Sequence, residues 1–109
     1  MKIRFTELQA GEIAHKACIV RDEPGLQESY DLTEQQAEAF ADAFLAAQRG
    51  GEVEVQPEWA DVINGEIENL IDIAMYNIEV DGPHPHIAYI RSMRQAASKV
   101  RKAFTKVSA

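Results

Sequence analysis

Asp61, Glu68, Asp72 and Glu79 recur at intervals of seven, four and seven residues. On a helix turning roughly 100° per residue, that spacing holds four carboxylates within about 20° of one line. Tyr76 falls close to the same line. Such a strip suits a basic partner, salt bridges to a neighbouring basic helix, or a divalent cation where two carboxylates meet a third ligand. Arg91, Arg94, Arg101, Lys102 and Lys106 form the complementary feature, a broad basic arc opposite an apolar seam that runs from Ile90 to Val107. That arc suits an acidic protein or phosphate groups. Trp59, Val62, Ile73 and Met75 flank the main apolar stripe of the acidic segment and cannot all face one partner helix, so either the N-terminal half covers them or they form an interface.

Other chemistry is sparsely represented. His84-Pro85-His86 is the single His-x-His, and zinc requires three or four placed ligands. Cys18 is the lone cysteine and sits in an apolar segment, where a thiol is not activated. There is no nucleophile elbow and no glycine-rich phosphate loop. Glu58-Trp59-Ala60-Asp61 resembles the Glu-x-x-Asp motif of small all-α metal-dependent nucleotide pyrophosphohydrolases. Their companion Glu-x-x-Glu occurs nowhere in the chain, so no activity is carried over. No cofactor or metal is expected.

Charge is divided along the 109 residues, whose net charge is −7. Residues 57–83 contain seven acids and no Lys or Arg, whereas residues 84–109 contain six Lys or Arg and no acid. The total argues against indiscriminate coating of nucleic acid, and the aromatic residue between Lys102 and Lys106, Phe104, belongs to the apolar seam and not to the basic arc, so it is not placed for base stacking. A single cysteine, the alternating charged and apolar residues from Met1 to Leu8, and the lack of a spanning apolar run lead to the expectation of a cytoplasmic, non-membrane protein.

The elements that position these residues follow from periodicity. Lys2 to Thr6 alternates as a short strand with Ile3 and Phe5 on one face, and Glu52 to Val55 alternates again as a strand able to pair beside it. Residues 13–20 fit either a helical stripe or a strand. Asp22-Glu23-Pro24-Gly25 favours a β-hairpin turning at Pro24-Gly25. Asp31 or Thr33 caps a helix over about 34–48, which Gly50-Gly51 ends. Pro57 opens a long helix with Ile63, Ile67, Leu70, Ile71, Ala74 and Ile78 as its core stripe. Asp81-Gly82-Pro83-His84-Pro85 breaks it, and a second long helix follows, so the two pack antiparallel.

The expected fold is α+β within a single domain of residues 1–109. A small N-terminal sheet with one helix (1–56) packs on a long C-terminal helical hairpin (57–107); an all-α four-helix arrangement is the alternative if residues 6–21 are helical. The expected function is that of a non-enzymatic interaction or regulatory protein that binds and modulates a protein partner. By analogy of type, such chains occur among the accessory and inhibitor proteins of bacteriophages and other mobile elements. Self-association through the hairpin is a further expectation. The alternatives are an oligomer that sequesters an anionic small molecule such as a nucleotide, and a metal-dependent hydrolase using the acidic helix face.

Overall fold

Thr6 accepts a hydrogen bond from the Gln9 backbone amide at 3.2 Å, and the Gln9 side chain accepts one from the Thr6 amide at 3.0 Å. This reciprocal cap satisfies two first-turn donors and starts a helix, Glu7–Asp22 (α1). The computed structural model describes residues 1–105, so Lys106 and Val107 lie outside the described residues.

The strand expected within residues 13–20 is therefore helical. The β-hairpin at Pro24-Gly25 is replaced by a second, short helix, Pro24–Ser29 (α2), with Pro24 in its first turn. Proline suits either setting, because its fixed φ and missing N–H cost nothing in a first helical turn. What decides for helix is burial: Ala10, Ile13, Ala14, Ala17 and Val20 all turn inward at helical spacing.

Asp31, at φ 55°, redirects the chain into α3 (Glu34–Ala46), which Thr33 caps through a second reciprocal box with Gln36. Gly50 takes φ 79° just after this helix, and the amides of Gly50 and Gly51 both donate to the Ala47 carbonyl. The two expected strands pair as β1 (Lys2–Arg4) and β2 (Glu52–Glu54), antiparallel with Ile3 opposite Val53. Lys2 faces Glu54 and Arg4 faces Glu52 across the ladder, so unlike charges sit on its outer face. The α+β expectation and the helical N-terminal segment thus both hold. Helix accounts for 75% of the described residues, with the two strands tying the chain's start to the segment before the C-terminal hairpin.

A single 3-10 turn at Pro57–Trp59 leads into α4 (Ala60–Asp81), and α5 (His86–Phe104) returns antiparallel beside it. The core lies where α1 and α3 meet the sheet and the lower part of this hairpin. Phe5, Phe40, Phe44 and Trp59 interlock there, with ring centroids 5.2 Å apart for Phe40–Trp59 and 5.4 Å for Phe5–Phe44. Ile63, Ile67, Met93, Ala96 and Val100 close it from the hairpin side. Trp59 and Val62, read from the sequence as interface candidates, are members of this core at 3% and 1% exposure. They are corrected to packing residues: the N-terminal layer covers the flank of α4 that a helix partner alone would leave open.

Candidate functional site

Polar contacts fix the hairpin's lower part to α1. The Gln9 side-chain amide donates to the Ser92 carbonyl at 2.8 Å, and its Oε1 also accepts from Lys99 Nζ at 3.4 Å. Lys99 in turn donates to the Arg4 carbonyl at 2.8 Å. On α4, Glu66 lies 3.8 Å from Lys16, with both side chains largely covered. Burial pushes the Glu66 carboxyl above its ordinary value, against the opposing pull of Lys16. Tyr89 lies beside Glu12; burial first, then that carboxylate, raises its phenol to about 12. These groups anchor the hairpin to α1 and β1.

Beyond this base the packing changes. The core reaches Leu70 and Ile71 on α4 and resumes at Tyr89 on α5, while between 72 and 88 only Ala74 is buried. Asp72 to Asp81 therefore carries the hairpin on by about 15 Å at 1.5 Å per residue. The radius of gyration is 14.2 Å, against about 13 Å expected for this length, as an extension of that kind requires. On the extension Ile73, Met75, Tyr76, Val80 and Ile87 are each about half exposed or more. Ile73 and Met75 are two residues apart and so lie about 200° around the helix. Ile73 borders Glu12, His86 and Tyr89 on the α1 side; Met75 lines a groove with Ile78, Ile87, Ile90, Arg91 and Arg94 on the other. The two residues grouped from the sequence as one interface thus belong to opposite faces.

The acidic line is exposed along its length at Asp61, Glu68, Asp72 and Glu79, as is Tyr76. Arg91, Arg94, Arg101 and Lys102 are exposed as well. Among the described residues no ion pair joins α4 to α5, so the salt-bridged hairpin considered from the sequence does not form between them. Each charged edge faces outward. Among the described residues no three His, Cys, Asp or Glu side chains converge on a point where a metal could sit, since a single helical line keeps successive carboxylates a turn or more apart. His84 lies in the connecting turn and His86 opens α5. No described helix is long and apolar enough to cross a membrane.

Sequence reasoning missed Ile87, and the signal was present. Ile87 stands four residues before Arg91 and seven before Arg94, which places it on the basic arc, where an isoleucine has no solvation reason to be. No protein-family model matches this chain, and no curated protein or solved structure matches it significantly.

Proposed function

We propose that this protein works by binding a protein partner through the outer half of its helical hairpin, and that binding rather than catalysis is its activity. One observation carries the reading: five large apolar side chains, Ile73, Met75, Tyr76, Val80 and Ile87, stand exposed within fifteen consecutive residues, beyond the limit of the core. Leaving that much apolar surface in water forgoes about 25 cal/mol for each Å² that burial would remove, a loss that association recovers. The flanking acidic and basic edges supply orientation and selectivity more than affinity.

The test is affinity capture from a lysate of the native host, using wild-type protein and a Met75→Glu/Ile87→Glu variant. Both substituted positions are about half exposed, so the variant keeps its helical circular dichroism. A protein captured by the wild type and lost with the variant supports the reading; capture unaffected by the variant removes it.

A further inference from the structure

The face of the hairpin turned away from α1 has an apolar centre and edges of opposite charge. Met75, Ile78, Ile87 and Ile90 line its central groove, with Met75 47% and Ile87 49% exposed. Asp72 lies one turn before Met75 on the outer edge of α4, and Arg94 lies one turn after Ile90, where with Arg91 it lines the α5 side of the groove. Because 75 and 78 share the groove with 87 and 90, Asp72 and Arg94 stand at nearly the same height along the antiparallel pair. The same alternation continues toward the base, where Arg101 stands at a height between Asp61 and Glu68.

This pattern complements itself in one way only. If two such faces meet about a two-fold axis parallel to the helices, α4 of one copy covers α5 of the other, antiparallel, and each carboxylate edge meets a guanidinium edge. If the axis runs across the helices, α4 meets α4 and like charges oppose. The face measures about 28 by 20 Å from helix lengths and diameters, or about 1,100 Å² over both copies, which clears the roughly 1,000 Å² that a specific interface needs. Two chains of net charge −7 repel at long range, so a matched local arrangement is required for them to associate at all. We propose that the partner is a second copy of this chain, seated groove on groove with α4 over the other copy's α5 to form a four-helix bundle. The proposal rests on the reading that the outer hairpin is a docking surface, and it names the occupant.

Light scattering coupled to size exclusion, over about 10–200 μM, reads the assembly state, and the wild type is expected at twice 12.2 kDa. Asp72→Lys and Arg94→Glu, made separately, each weaken the dimer about tenfold, because every substitution acts twice across a two-fold axis on a modest exposed pair. Placing both on one chain restores it, since the swapped edges are again complementary; the α4-on-α4 arrangement predicts no such rescue. Thermal melts by circular dichroism check the fold, and Glu68→Lys with Arg101→Glu provides a second pair should either first variant unfold. A wild-type monomer at every concentration overturns the proposal, and so does a dimer indifferent to the reversals or not rescued by the pair. In those cases capture that depends on Met75 and Ile87 leaves the docking surface standing with a different protein, whereas capture that ignores them removes both.

Discussion

Gln9 is wholly buried, yet its side chain has every neighbour it needs: the Thr6 amide, the Ser92 carbonyl and the Lys99 ammonium. Gln9→Ala leaves the Thr6 amide without its partner and removes the link to the Ser92 carbonyl, which costs about 2 kcal/mol in urea unfolding. Gln95→Ala, at an exposed position, changes stability by no more than about 0.5 kcal/mol. Equal losses at the two sites would show that Gln9 does not fasten α1 to the hairpin. Tyr89 gives a second residue-level prediction. Its folded pKa, about 12, lies above the ordinary 10.0, so the neutral phenol favours the folded state. That contribution is complete below about pH 10 and is lost as pH rises through 12. Phenolate absorbance in the wild type is expected to include a late component near pH 12, absent from Tyr89→Phe, whose stability falls less over the same interval. A titration without that component would remove the burial argument.

Among elements, the hairpin and both strands were legible because their signals are redundant. Proline opens the 3-10 turn that leads into α4, apolar residues recur at helical spacing, and Gly82 closes the helix at φ 90°. Residues 7–22 were not, since half of their inward face is alanine: three small side chains make a weak stripe, while Cys18-Ile19-Val20 beside Pro24-Gly25 imitates a strand and turn. Thr6-x-x-Gln9, a capping box in sequence, is the stronger signal for helix there. At this scale glycine substitutions should differ in sign. Gly50→Ala forces a side chain into φ 79° and lowers stability by about 1 kcal/mol, although nothing lies closer than 3.8 Å to the added carbon. Gly65→Ala, inside α4 with open space around it, raises stability by up to about 1 kcal/mol. Paired thermal melts decide it; a stabilised Gly50→Ala protein would contradict the turn after α3.

For the whole molecule, the charge division visible in the sequence points to the hairpin proposed here as a docking surface, and the three-dimensional arrangement changes how its two edges are disposed. Seven acids and no base in 57–83, then no acid after 83, suggested edges that cancel each other. Packing α1 against one side of the hairpin instead turns the two edges outward around a groove on the other. Which apolar residues remained uncovered depended on where the core ended, and no local pattern encodes that limit. The limit has a dynamic consequence. Beyond their first turns the backbone amides of α4 and α5 are all hydrogen-bonded within the helices, but only those at the base are expected to open together with the aromatic core. In dilute solution, amides of 74–81 should therefore exchange with solvent at least about tenfold faster than those of 63–67 and 93–100. Raising the concentration through the dimer range should slow the outer set by mass action, and by more than the inner set, whose exchange the core already limits. Hydrogen exchange read by mass spectrometry at about 1 and 200 μM separates the cases. Uniform protection in dilute solution would mean that the hairpin tip belongs to the same cooperative unit as the core, and its exposed isoleucines and methionine would then need an explanation other than docking.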